Sequence, residues 1–193
     1  NAQQMTSETC SSERNRTKHS NDPSLWLYHV ESTTSTMDEA RSLVEKKFII
    51  DGDDNNNNIL PTSFVISAIS QSNGRGTTNR NWKSAQRGNA LFTIGVPQLS
   101  WMKDLKAKNN GMMVPLTLLP LKVGTLVALH TQNIISDCSL KSGASETRLP
   151  KVTVKWPNDV LLRVVTPGGE GSANEKVAGI LIESSEDWFL IGI

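Results

Sequence analysis

Cysteine is nearly missing from this 193-residue chain: Cys10 and Cys138 are its only two. Two distant thiols cannot form a disulfide framework for a chain this long. With only His19, His29 and His130 beside them, they offer no zinc-cluster spacing either. Reduced thiols in a reducing intracellular compartment are the expectation. A long apolar run is missing too. The longest nearly unbroken stretch, residues 114–121, holds two prolines and is far too short to cross a bilayer, which excludes a helical membrane protein. Residues 1–21 contain no apolar signal core. Nor is there an excess of charge of one sign: twenty Lys and Arg face nineteen Asp and Glu, a net charge of +1. That balance argues against a general nucleic-acid binder.

What is present is a globular balance, with 37% hydrophobic and 20% charged residues. Residues 1–24 hold almost nothing to bury and read as a disordered polar tail; residues 25–193 read as one domain. Residues 25–30 read as a short strand, followed by a hydroxyl-rich loop over 31–36. Ser35 with Asp38 three residues on fits a helix N-cap box, and Met37, Ala40, Val44 and Phe48 follow at helical spacing. After an Asn/Asp-rich surface loop at 51–58, strands are predicted over 63–69 and 90–96, with a Gly-, Asn- and Arg-rich loop between them. Pro120 opens a second helix with Val123, Leu126, Val127, His130 and Ile134 on one side, His130 reading as a core histidine. A polar stretch over 139–149 ends that helix. The last third reads as antiparallel strands over 152–156, 159–165, 177–183 and 188–193, with a Pro/Gly/Ser loop at 166–175. Hairpins with two interposed helices indicate an α+β domain. The apolar final run, Leu190-Ile191-Gly192-Ile193, suggests a fragment of something longer, incomplete at its C-terminus.

Three places could carry chemistry. In Gln71-Ser72-Asn73-Gly74-Arg75-Gly76-Thr77-Thr78-Asn79-Arg80-Asn81-Trp82, glycines flanking an arginine let the backbone approach a ligand. Arg75 and Arg80 can fork onto phosphate or carboxylate oxygens. The competing reading is an exposed connector anchored by Trp82. Lys155 projects from an alternating strand, read as a central one, on the side opposite Val152, Val154 and Trp156, where a cation must meet water, an anion or a carboxylate. Its competing reading is an edge strand with a solvated lysine. In the segment 31–38, hydroxyls and helix N-terminal N–H groups could hold an anionic or polar ligand, or simply cap the helix.

Taken together and in order, three segments resemble the catalytic domain of biotin protein ligases, the family of bacterial biotin ligases and eukaryotic holocarboxylase synthetases. They are Gln71-x-x-Gly74-Arg75-Gly76-x-x-x-Arg80-x-Trp82, Val154-Lys155-Trp156-Pro157-Asn158-Asp159-Val160 and Lys176-Val177-Ala178-Gly179-Ile180-Leu181-Ile182-Glu183. Ser35-Thr36 is similar to the family's Ser-Thr pair, and Ile191-Gly192-Ile193 to the start of its Gly-Ile-Asn strand. The resemblance runs from about Tyr28 to Ile193, with insertions near 51–60, 139–150 and 166–175.

The resemblance implies a mixed, largely antiparallel sheet with helices packed on one side, shared with lipoate ligases and class II aminoacyl-tRNA synthetases. It implies activation of biotin by ATP and Mg²⁺ to biotinyl-5′-AMP, then transfer to a lysine of a biotin carboxyl carrier domain. Lys155 matches the lysine that meets the biotin carboxylate and α-phosphate, and Gly74, Arg75 and Gly76 match the loop that closes over the anhydride. Lys155 and Arg75 are implied as catalytic; Ser35, Thr36, Gln71, Gly74, Lys155 and Gly179 at the biotin; Arg75, Gly76, Arg80, Trp82, Asn158 and Lys176 at the nucleotide. No residue is implied as a metal ligand, and neither DNA nor a membrane is an expected partner. The cytoplasm is the expected location, with mitochondria as the alternative. The chain departs from the bacterial pattern at Thr77 and Thr78, where a basic residue stands after Gly-Arg-Gly, which puts adenylate retention in question. It also carries Met37 where Asn is commoner. A lipoate or octanoate ligase of the same fold and a non-catalytic biotin or nucleotide binder are the alternatives.

Overall fold

Buried and half-buried residues alternate along 63–68 and 91–96, two segments that build the core. The computed structural model describes residues 15–19, 22–45, 63–77, 80–83, 88–108, 110–112, 115–142, 149–165 and 172–193. The elements in chain order are β1 (Asn15–His19), β2 (Asp22–Thr33), α1 (Thr36–Glu45), β3 (Ser63–Gln71), β4 (Gly74–Arg75), β5 (Asn81–Trp82) and β6 (Leu91–Pro97). They continue with α2 (Gln98–Lys108), a 3-10 turn (Leu116–Leu118), α3 (Leu119–Ser142), β7 (Lys151–Lys155), β8 (Asp159–Val165), β9 (Ser172–Gly179), β10 (Leu181–Ser185) and β11 (Trp188–Gly192).

A six-stranded sheet runs β1-β2-β3-β6-β11-β10, a three-stranded sheet runs β7-β8-β9, and β4 pairs with β5 alone. Among the described residues only β2 and β3 pair in parallel; every other ladder is antiparallel. This is the mixed, largely antiparallel α+β architecture expected. The register Tyr28↔Ile66, Ile66↔Thr93 and Gly95↔Leu190 puts those residues on one face of the large sheet. The apolar stripe of α1 (Met37, Ala40, Leu43, Val44) covers that face, over Trp26, Tyr28, Phe64, Ile66 and Leu190. Each of the larger side chains contributes about 1.5–3 kcal/mol by leaving water. Phe189 points to the opposite face, where Trp101 of α2 meets it edge-on at 5.4 Å between ring centroids. Helices therefore lie on both faces of the large sheet: α1 on one, α2 on the other.

Several expectations change in detail. A disordered tail was expected through residue 24, yet Asn15–His19 forms β1 on the edge of β2, since backbone pairing asks little of side-chain hydrophobicity. Residues 1–14 of that tail lie outside the described residues, as do Phe48, the Asn/Asp-rich loop at 51–58 and residues 143–148. Strand β2 continues through the loop expected at 31–33, because Thr33 pairs with Gln71 of β3. Helix α2 was not anticipated; none of its residues is buried and it carries no apolar stripe to read. His130 is exposed rather than in the core, and lines an apolar cavity of about 690 Å³ between α3 and the face of the large sheet that carries Phe92 and Ile94. β7 is an edge strand rather than a central one. Val154 turns toward α3, where Gly124 leaves room for it, and Lys155 faces away, exposed.

Candidate active site

The parallel pairing of β2 with β3 fixes the first corner of the site. Beyond Thr33↔Gln71 the ladder continues with Ser72 N–H to Thr33 O at 3.0 Å and Asn73 N–H to Thr34 O at 2.8 Å. That register sets Gln71 against the start of α1, and its Oε1 accepts the Thr36 N–H at 3.3 Å. Ser35 Oγ caps the same helix by accepting the Met37 N–H at 3.3 Å. Asp38 does not complete the capping box read from the sequence, because its carboxylate takes Arg75 instead. Thr36 is held from below by the Thr93 hydroxyl, which donates to Thr36 Oγ1 at 2.9 Å in a fully buried pair.

The loop after Gln71 folds into the β4–β5 hairpin, with Gly74 opposite Trp82 and Arg75 opposite Asn81. At its tip the Gly76 N–H donates to Arg80 O at 2.7 Å, and Arg80 bonds back to Thr77 O and Oγ1. Gly74 is buried where any Cβ would stand 2.6 Å from Gln71 Nε2 and 2.7 Å from Trp82 O. Both terminal nitrogens of Arg75 are engaged: Nη1 donates to Asp38 Oδ1 at 2.7 Å and Nη2 to Glu183 Oε1 at 2.5 Å. The other oxygen of Glu183 pairs with Arg41.

The far wall comes from the three-stranded sheet. Lys176 pairs with Asp159 at 2.7 Å, and its Nζ sits 4.7 Å from the centroid of the Trp82 ring. A Cβ on Gly179 would lie 3.2 Å from both Lys176 Nζ and Trp82 Cζ3, so glycine there keeps this wall open to a ligand. Asn158 fixes the join between the walls: its Nδ2 donates to Ile180 O at 3.1 Å, and the Ile180 N–H returns to Asn158 O at 2.8 Å.

These groups enclose a cavity of about 170 Å³. Ser35, Thr36, Gln71, Arg75, Gly76, Arg80, Trp82, Asn158, Lys176 and Gly179 all line it. Gly74 and Lys155 do not: Gly74 lies behind the wall, and Lys155 stands exposed at the end of β7. Met37, Thr77, Asn81, Ile180, Leu181, Gly192 and Ile193 complete the lining and were not singled out as binding residues in the sequence. Thr93 and Glu183 were also missed as site residues. Glu183 carried a legible signal, for it alternates with Leu181 on the side of β10 that faces α1, and an inward carboxylate needs a cation. The cavity thus offers neutral donors and acceptors at one end, cations along its sides, and an aromatic face with a cation over it. Among the described residues no three His, Cys, Asp or Glu side chains converge to hold a metal ion.

A family model for the Biotin/lipoate A/B protein ligase family matches residues 30–190. No curated protein matches the chain. Among solved structures it is similar to a biotin protein ligase from Leishmania major in complex with biotin. The identity is 30%, over 88% of this chain and 55% of that one, with a TM-score of 0.53. It is similar in fold to a biotin acetyl coenzyme A carboxylase synthetase from Helicobacter pylori with bound biotinylated ATP. There the identity is 18%, over 86% of this chain and 58% of that one, with a TM-score of 0.51. The chain spans little more than half the length of either protein.

Proposed function

We propose, from the premise that this chain belongs to the biotin/lipoate A/B protein ligase family, that it activates biotin with ATP and passes it to a carrier protein. In the first step a biotin carboxylate oxygen attacks the α-phosphorus of ATP. The bond to pyrophosphate breaks, and biotinyl-5′-AMP forms. In the second, the amine of a lysine on a biotin carboxyl carrier domain attacks the anhydride carbonyl, AMP leaves, and the amine gives up a proton. Mg²⁺ enters as part of the MgATP substrate.

One observation carries the reading: a single cavity gathers Ser35, Thr36 and Gln71 with Arg75, Lys176, Trp82 and Gly179. The hydroxyl and amide groups suit the neutral ureido head of biotin. Gly179 admits its ring system, and Trp82 suits the adenine side. Bringing a carboxylate onto a phosphate sets two anions together, and pre-placed cations lower that barrier. Lys176 and Arg80 stand on the cavity, and Lys155 supplies a further cation with no acidic partner among the described residues. It stands exposed at the end of β7, outside the cavity lining, and its contact with the carboxylate and α-phosphate is proposed on its match to the family lysine.

The test is pyrophosphate release with MgATP, measured with biotin, with lipoate and with neither, followed by mass-detected transfer to a carrier domain. Release that depends on biotin alone is the expected result. Release with lipoate alone would make the chain a lipoate ligase of the same fold. Calorimetric binding of biotin without release would make it a non-catalytic binder.

A further inference from the structure

The sequence suggests that Arg75 serves to meet ligand phosphate, yet both of its terminal nitrogens are taken by carboxylates. Nη1 is on Asp38 at 2.7 Å and Nη2 on Glu183 at 2.5 Å, while Arg41 takes the second oxygen of Glu183. Two cations and two carboxylates thereby join three segments distant in sequence: the β4–β5 hairpin, the first turns of α1, and β10. Glu183 is only 19% exposed, so its charge is held away from much of the solvent screening that weakens surface pairs. The hairpin needs such a fastening. Its strands are two residues each, and a ribbon that short does not hold its shape unaided.

We infer that Glu183 is a positioning residue: with Asp38 it grips the guanidinium of Arg75 by both forks and stands the hairpin wall of the cavity in place before any ligand arrives. The tether also sets how long an acyl-adenylate stays bound, a consequence that rests on the function proposed above. The opposite arrangement, an arginine held in reserve for a ligand anion with the carboxylates as placeholders, predicts the opposite sign. Removing the Glu183 charge would then free Arg75 and tighten anion binding.

Hydrogen exchange on the ligand-free chain tests the tether without reference to activity. Amides of residues 74–82 should exchange about tenfold faster in Glu183→Gln, with those of β3 and β6 unchanged. Arg75→Lys keeps the charge but loses the fork, and should loosen the hairpin in the same way. Unchanged hairpin exchange in either variant, or faster exchange spread across the large sheet, overturns the inference. In a single turnover with biotin and MgATP, the ratio of released to retained biotinyl-AMP should rise about tenfold in Glu183→Gln. A lower ratio overturns the tether in favour of the reserve arginine. A wild-type chain that makes no adenylate sinks the ligase reading alone, and the exchange result still decides the tether.

Discussion

One methyl group added at Gly95 would stand 2.1 Å from Cε1 and Cζ of Phe64, a ring fully buried under α1. Neither the ring nor the β6 backbone can yield there without disturbing the core. Gly95→Ala should therefore cost about 3 kcal/mol in urea unfolding, at the upper end for overpacking. Gly179 poses the contrary case. Its added Cβ would meet Lys176 and Trp82 at 3.2 Å, and a lysine tip can swing aside. Gly179→Ala should cost under about 1 kcal/mol in stability and yet raise the biotin KM at least about tenfold, because the methyl crowds Lys176 and Trp82, which line the cavity. Equal effects on stability and KM would place Gly179 in packing rather than in the site. Lys155 tests the chemistry itself. It is exposed at a strand end, so Lys155→Ala should leave stability within about 0.5 kcal/mol while abolishing biotin-dependent pyrophosphate release. Activity surviving that change would remove Lys155 from its proposed role.

The turn between β7 and β8 is held to the link between β9 and β10 by two bonds, both between Asn158 and Ile180. Ile180 is 1% exposed, so its carbonyl cannot turn to water if the amide is lost. Asn158→Ala should cost about 2 kcal/mol by leaving that acceptor unpaired. Its effect on nucleotide affinity should come with the stability loss, as shared changes in thermal unfolding and MgATP binding; weaker binding at full stability would instead make Asn158 a direct nucleotide contact. This pairing marks how far sequence reading reached. The turn at Pro157-Asn158 was legible from residue type, but its partner 22 residues on was not. Short apolar runs gave β3 and β6, strict alternation gave β7, and the turn at Pro157-Asn158 gave β8, since buried and half-buried strands write their faces into the chain. Helix α2 wrote little, having no fully buried residue, and β1 is polar and held by its backbone. Asp38 and Ser35 spelled a capping box, but Arg75, a long-range partner, claimed the carboxylate. Ten of the twelve residues singled out for the site do line one cavity, because short motifs fix local chemistry. Lys155 fell outside it because the edge position of β7 depends on strand order, which spacing does not carry.

The cavity lies where the chain passes from the three-stranded sheet to the six-stranded one, across Gly179, Ile180 and Leu181. One wall is Ser35, Thr36, Gln71 and Gly192 on the large sheet and α1; the other is Asn158, Lys176 and Gly179 on the small sheet; the hairpin closes a third side. A ligand filling it touches both sheets, so its binding energy adds to whatever holds them together. At about 100 times its dissociation constant, a ligand that binds only the folded state adds about 2.7 kcal/mol. For a chain of this length that corresponds to a rise in Tm of roughly 5–10 °C. Biotin with MgATP should give that rise, and it should exceed the rise with biotin alone, because in the proposed reading the adenylate spans from the Ser35 corner to the Trp82 face. An equal rise with lipoate and MgATP would widen the substrate to carboxylic acids of the lipoate class. No rise with either acid at saturating concentration would mean that the cavity does not take them, and the proposed function would fall with it.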